Sequence, residues 1–239
     1  MLYTLAVLKE LDLPLTGDSR VVDFGCGAGG FIRAARAQGY NAVGCDFYRN
    51  DGAETDALID AGHIKLIEQS PYRLPYDDNS VDFIVSETVL EHVKNPEEVA
   101  REMSRVLKPG GAAFHFFPAR LSPIESHVFV PFGCVFRPYP YLWLCAALGL
   151  RNSYQKGMSV KQVARINADY LKNSTNYLTG KQMKQVYGPH FSRVEFVDQA
   201  YLDSSLSAKA RLIGKLNRRL PFIGPMYRTF WAVPLLLVK

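Results

Sequence analysis

Gly25-Cys26-Gly27-Ala28-Gly29-Gly30 sets small residues between an apolar run, 20–25, and a segment in which Phe31, Ala34 and Ala35 recur at helical spacing. Strand, glycine turn and helix in that order let a bound molecule approach backbone N–H groups at the positive end of a helix. As a string the turn satisfies GxGxxG, which a tight turn without a ligand also satisfies. Two carboxylates sharpen the reading. Asp23 lies two residues before the first glycine, and Asp46 closes a second apolar run, 41–46, where a carboxylate at the sheet edge can accept both hydroxyls of a ribose.

Acid–base chemistry would fall to histidine, whose pKa lies near neutrality. His92, just beyond the run 81–86, and His127, two residues after Glu125, would both sit past the carboxyl ends of parallel strands, where α/β sheets place their sites. These two are the candidate catalytic residues. His115 alternates within the run 112–117 as a core residue would, and His63 and His190 read as turn residues. Cys26, Cys45, Cys134 and Cys145 include no CxxC pair, so neither a zinc knuckle nor a disulfide framework is suggested, and no metal is expected.

The elements that must position these groups follow from periodicity. Apolar runs at 20–25, 41–46, 64–68, 81–86 and 112–117 alternate with helical segments, which implies parallel βαβ units in an open sheet covered on both sides. A helix after Asn95 has Pro96 at its first position, a capping box of Asn95 with Glu98, and a stop at Lys108-Pro109-Gly110-Gly111. Residues 1–118 then form the cofactor-binding half. Residues 119–178, rich in Pro and aromatics and later helical behind a Ser159/Gln162 capping box, read as an insertion that supplies the acceptor pocket and a lid. Its Phe129, Phe132, Phe136, Tyr139, Tyr141 and Trp143 would either stack on a sugar or ring or form a small core. Residues 179–239 begin with a helix capped by Thr179 and Gln182, with Met183, Val186 and Tyr187 inward, and end in strands at 193–197 and 231–238.

The chain has 239 residues, 48% of them hydrophobic, and a net charge of +5, a composition that excludes a disordered or fibrous protein. No apolar run reaches the roughly 20 residues of a spanning helix, and Lys9, Glu10 and Asp12 stand where a signal peptide would be apolar. A cytoplasmic location is expected. Seven basic and no acidic residues lie in 204–239, leaving 21 basic against 23 acidic residues before them. Residues 206–220 read as a basic amphipathic helix with Leu206, Ala210, Ile213 and Leu220 on one face and Arg211, Lys215, Arg218 and Arg219 opposite, compatible either with peripheral contact at the inner face of an anionic membrane or with packing on its own sheet with a solvated basic face.

Four blocks in order, VVDFGCGAGGF, Asp46, YRLPYDDNSVDFIVSETVLEHV and EEVAREMSRVLKPGG, resemble class I S-adenosylmethionine-dependent methyltransferases, in the type 11 branch with the ubiquinone and menaquinone methyltransferases. The resemblance covers about residues 20–118. It implies an α/β, Rossmann-like fold with a mostly parallel seven-stranded sheet, helices on both faces, and a helical insertion after the fifth strand. It also implies S-adenosylmethionine as cofactor, with Asp23, Gly25, Gly27 and Gly29 around the methionine part, Asp46 on the ribose, Phe47 near the adenine and Glu87 near the methionine end. Ser70 stands where the family usually has an acidic residue on the adenine amine. A nicotinamide dehydrogenase would explain neither Asp23 nor the later blocks.

Ser86-Glu87-Thr88-Val89 differs from the acid/amide-Pro-Pro-aromatic motif of the amino-methylating DNA branch, and neither Cys134 nor Cys145 follows a proline as a pyrimidine-methylating nucleophile would. A nucleic-acid substrate is not expected. The expected reaction is O-methylation of a hydroxyl on a glycan or lipid-linked intermediate, with a small aromatic or quinone-like acceptor, or a cofactor-binding regulatory module without turnover, as the alternatives.

Overall fold

Strands covered on both faces have no solvent side to make polar, so they read as continuous apolar runs, and those runs form the sheet. The computed structural model describes residues 2–13, 15–68 and 71–239. In chain order its elements are α1 (Leu2–Glu10), β1 (Arg20–Phe24), α2 (Gly30–Arg36), β2 (Asn41–Asp46), α3 (Ala53–Asp60), β3 (Ile64–Leu66), β4 (Val81–Glu87), a 3-10 turn (Leu90–His92), α4 (Pro96–Val106) and β5 (Leu107–Pro118). There follow α5 (Tyr139–Ala147), α6 (Val160–Asn173), α7 (Gly180–Tyr187), β6 (Arg193–Phe196), α8 (Asp198–Ser204), α9 (Ala208–Asn217), α10 (Ile223–Phe230) and β7 (Ala232–Val238).

The sheet order is β3-β2-β1-β4-β5-β7-β6, with β7 antiparallel to both neighbours and every other pair parallel. One face packs on α4 and α7 through Val99, Met103, Met183 and Tyr187. The other packs on α1, α2 and α8 through Leu8, Ile32 and Leu202. The strand order reverses between β1 and β4, and that crevice is where open α/β sheets bind ligands.

Several local expectations change. Asn95 makes no side-chain cap; Glu98 instead accepts from the Tyr72 N–H at 3.4 Å, so the segment before β4 competes for the carboxylate the capping box needed. The Ser159/Gln162 and Thr179/Gln182 boxes are formed. Lys108-Pro109-Gly110-Gly111 lies inside β5: Leu107 pairs with Val81 and the register then shifts to Ala112 opposite Phe83, with the Lys108 ammonium on the Asp82 carboxylate at 2.8 Å. Helices α1, α5, α8 and α10 were not anticipated, being short elements stabilised mainly by what they pack against.

The insertion holds two small cores built from aliphatic residues, among them Val128, Val130, Leu142 and Leu171. Its aromatics do not form them: Phe129, Phe132, Phe136, Tyr139 and Trp143 are exposed, and Tyr141 packs at the edge with its hydroxyl on the Pro131 carbonyl.

The basic helix buries part of its expected apolar face: Ala210 is buried together with Gly214 and Asn217, and Ile213 packs against the core, whereas Leu206 and Leu220 are 74% and 47% exposed. Gly214 is required there because a Cβ would come 2.8 Å from Asp203 Oδ1, and Asn217 faces inward to accept from the Gly224 N–H and donate to Gln199. Two inward positions, Gly214 and Asn217, are thus not apolar side chains, and counting apolar residues misses them. Leu212, Leu216 and Leu220, four residues apart, form an exposed stripe. Arg211 bonds the Ser205 and Leu206 carbonyls and Arg218 pairs with Asp203.

Arg105 ties the loop before β4 to α4, bonding the Leu74 and Tyr76 carbonyls, Glu102 and Asp78. Arg105→Ala leaves the buried Glu102 carboxylate short of its main partner and is expected to cost about 2–3 kcal/mol of stability, read as a shift of the urea midpoint at unchanged slope.

Candidate active site

β1 delivers Asp23 to the reversal crevice and the chain then turns into α2 through Gly25, Gly27 and Gly29, all at positive φ. The turn is crowded on two of its three glycines. A Cβ on Gly25 would come 2.4 Å from Val89 Cγ2, and one on Gly29 2.4 Å from Leu58 Cδ1, whereas one on Gly27 would meet nothing within 4 Å. Gly27 therefore faces open space while Gly29 packs on α3 and β3; of the three, Gly29 is absent from the cavity walls.

The turn's amides are largely taken up by the protein. The N–H groups of Gly25 and Cys26 donate to the Cys45 carbonyl, that of Gly29 to the Cys26 carbonyl, and that of Gly27 to Asp46 Oδ2 at 2.7 Å. Asp46 Oδ1 accepts from the Tyr48 N–H at 3.0 Å. The carboxylate thus points at the turn, and four of the turn's N–H groups are engaged by protein oxygens.

Two cavities meet over it, sharing Gly25 and Thr88. The first, about 540 Å³, is walled by Asp23, Gly27, Ser86 and Glu87, with Thr4 of α1 as its cover. The second, about 350 Å³, is walled by Asp46, Phe47, Tyr48, Val89, His92 and Tyr170. Phe47 meets Phe24 and Tyr72 edge-on, with ring centroids 6.1 and 5.4 Å away. Arg33, the basic residue of the first cavity, is engaged by Glu54 at 3.0 Å. The surroundings are acidic: burial, then the charges of Glu87 and Asp46, push the Asp23 carboxyl up to about 7. Ser70 lies outside the described residues. Helix α1 and Tyr48 were missed by sequence reasoning, and a helix that covers a site by packing leaves no motif to find.

His92 and His127, far apart in sequence, come together. Their Nε2 atoms are 3.2 Å apart. The Nδ1 of His92 lies 2.6 Å from the Ser174 carbonyl, and that of His127 lies 2.7 Å from Glu125 Oε1. Glu125 is fully buried and also accepts from the His127 and Val128 N–H groups and the Tyr177 hydroxyl. Burial would raise its carboxyl, but those hydrogen bonds outweigh it and hold the pKa below the usual range. The Tyr170 ring lies 5.6 Å from His127 and 6.4 Å from His92. Glu91, Glu125, Tyr170 and Tyr177 complete a cluster of which only Glu125 was noted beside His127 in the sequence. His115 is buried with Nδ1 2.7 Å from the Ser86 hydroxyl, and burial pulls its pKa down to about 3, so it is neutral. Its Nε2 has no hydrogen-bond partner, so as a core residue it is half satisfied.

Residues 22–115 match the methyltransferase domain family. Uncharacterized methyltransferases of Mycolicibacterium vanbaalenii and Mycolicibacterium gilvum are 33% and 34% identical to it over 128 and 131 residues, each alignment covering 52% of this chain and 50% of the relative. The chain spans about half the length of the curated relatives it matches. Among solved structures, an S-adenosylmethionine-dependent methyltransferase from Mesorhizobium loti superposes with a TM-score of 0.55 at 18% identity, over 98% of this chain and 96% of that one. A phosphoethanolamine N-methyltransferase of Haemonchus contortus, solved with S-adenosyl-L-methionine, gives 0.52 at 15% identity, over 97% of this chain and 52% of that one. The fold is that of class I methyltransferases, as expected.

Asp23 lets the crevice be probed through pH. Its carboxyl holds a proton up to about pH 7 in the folded chain against 3.8 for the ordinary group, so the native state binds the extra proton between those values and stability falls as pH rises across them. Asp23→Asn should flatten that fall. Urea midpoints of the ligand-free protein at pH 5 and pH 8 measure it, and a wild type no more pH-sensitive than the variant would refute the burial argument.

Proposed function

We propose that this chain is an S-adenosylmethionine-dependent methyltransferase that acts on a hydroxyl of a glycan or lipid-linked acceptor. The observation that carries the first half is the charge around the glycine turn: Asp23, Asp46 and Glu87 converge there while the amides of Gly25, Cys26, Gly27 and Gly29 are engaged by protein oxygens. A pyrophosphate would meet carboxylates without those donors; a molecule bearing a sulfonium and an ammonium meets opposite charge. The open space over Gly27 accommodates it. Asp23, Gly25, Gly27 and Glu87 would hold its methionine part, Asp46 its ribose, and Phe47 with Tyr48 its adenine, while Gly29 seats the turn. When bound, it supplies a methyl group on a positively charged sulfur, a leaving group that needs no acid.

The acceptor's proton is then the remaining chemical demand, and we assign its activation to the His92–His127 pair, since His92 shares a cavity with Gly25 and Thr88. Residues 119–178 supply the acceptor pocket and lid in this reading, with exposed Phe129, Phe132, Phe136 and Trp143 as contact groups. A lipid-linked acceptor fits the exposed Leu212, Leu216 and Leu220 stripe beside Lys209, Lys215 and Arg219, a pattern suited to lying on an anionic membrane surface. No described helix is long and apolar enough to cross a membrane.

Calorimetric titration with S-adenosylmethionine should show binding, weakened about tenfold or more by Asp46→Ala through loss of its hydrogen bonds. Absence of binding to wild type would reject the assignment. His127→Ala should keep that binding yet lose about 10²-fold or more of turnover on a hydroxyl acceptor. Flotation with anionic liposomes should be lost when Leu212, Leu216 and Leu220 are replaced by serine; flotation equal to wild type would reject the membrane contact.

A further inference from the structure

The histidine pair poses an electrostatic problem. A backbone carbonyl can only accept, so the His92 Nδ1 facing Ser174 carries the hydrogen, and the Glu125 carboxylate imposes the same tautomer on His127. Both rings, when neutral, therefore direct Nε2 lone pairs at one another across 3.2 Å. Beside them is Glu91, whose side chain is fully buried, whose two oxygens have no hydrogen-bond partner, and whose Oε1 is 3.9 Å from His92 Nε2. Two lone pairs and a buried, unbonded carboxylate converging on one point call for a cation.

We propose that Glu91, His92 and His127 form a binding site for a divalent transition-metal ion of the zinc class. Their donor atoms all lie within 4.8 Å of one another. Nitrogens at the usual zinc distance of about 2.0–2.1 Å around a tetrahedral ion stand roughly 3.3 Å apart, which matches the Nε2 separation, while Glu91 Oε1, 3.9 Å from His92 Nε2, has to move closer to join them. Two imidazoles and one carboxylate suit zinc, cobalt or iron better than magnesium or calcium, which prefer all-oxygen shells. The outer contacts agree as well. Metal-bound histidines present their other nitrogen to a carboxylate or a backbone carbonyl, as His127 does to Glu125 and His92 to Ser174.

Three protein ligands leave a fourth position, and His92 lines the cavity that also contains Gly25 and Thr88. An acceptor hydroxyl bound there would coordinate the ion, its pKa would fall, and its proton would pass to solvent. The ion would also pin the insertion, through His127, to the turn after β4, through Glu91 and His92. Its part in acceptor activation rests on the methyl-transfer reading above; the binding itself does not.

The test uses the full chain, stripped with a chelator and dialysed against Zn²⁺ or Co²⁺, with metal content measured by mass spectrometry and Co²⁺ coordination by its visible absorption. The expected result is one ion per chain, a tetrahedral Co²⁺ spectrum, and affinity reduced at least tenfold in Glu91→Gln and lost in His127→Ala. Glu91→Gln keeps the shape of the buried side chain and removes its charge, so its fold is not at risk. No retained ion in wild type, or retention unchanged by both substitutions, overturns the proposal. S-adenosylmethionine calorimetry on the same samples separates the two readings: nucleoside binding without metal sinks the metal site alone, and metal binding without nucleoside upholds the site while sinking the methyltransferase assignment.

Discussion

The hydrogen bond from the Gly27 N–H to the Asp46 carboxylate, 2.7 Å long, governs the character of the crevice. It joins the end of β2 to the turn between β1 and α2, and it removes from the turn the donor that would otherwise attract a phosphate. The amides of Gly25, Cys26 and Gly29 are likewise bonded, to the Cys45 and Cys26 carbonyls, so carboxylates stand where a phosphate would need those donors. A glycine turn that looks like an anion site in sequence thus becomes a cation-tolerant one in the fold. The raised pKa of Asp23 belongs to the same circumstance, because a buried carboxylate near two others lacks a compensating positive charge.

The second organising feature is the meeting of the insertion with the turn after β4. Glu125 is the hub: it fixes the His127 ring, holds the loop N–H groups of His127 and Val128, and accepts from Tyr177 near the insertion's far end. His92 is fixed from the other side by the Ser174 carbonyl at the end of α6. The insertion therefore builds its own aliphatic cores and uses polar contacts to present one edge to the sheet, while Phe129, Phe132, Phe136, Tyr139 and Trp143 stay outside. Aromatics of the insertion and the leucines Leu212 and Leu216 of α9 are left exposed.

Much of this was legible before any coordinates. The runs at 20–25, 41–46 and 81–86 state their buried strands locally, since parallel strands repeat apolar residues without alternation, and the turn glycines and Asp46 are readable because strand-end positions follow from strand limits. The capping boxes at Ser159 and Thr179 likewise depend on neighbours three residues away and came out as written. Asn95 did not, because a residue distant in sequence, Tyr72, competed for Glu98.

By itself the sequence determined the strands and their order along the chain, the glycine turn and the two acids beside it, and it singled out His92 and His127, all of which rest on local periodicity or on position relative to strand ends. Only the tertiary structure decided which amides of the turn stay available, which face of α9 is buried, and that His92 and His127 point at each other with Glu91 behind them. Those outcomes depend on distances between segments tens of residues apart, where loop geometry and packing set what a one-dimensional pattern leaves open: a side chain's worth as base, ligand or core is fixed by the atoms it faces.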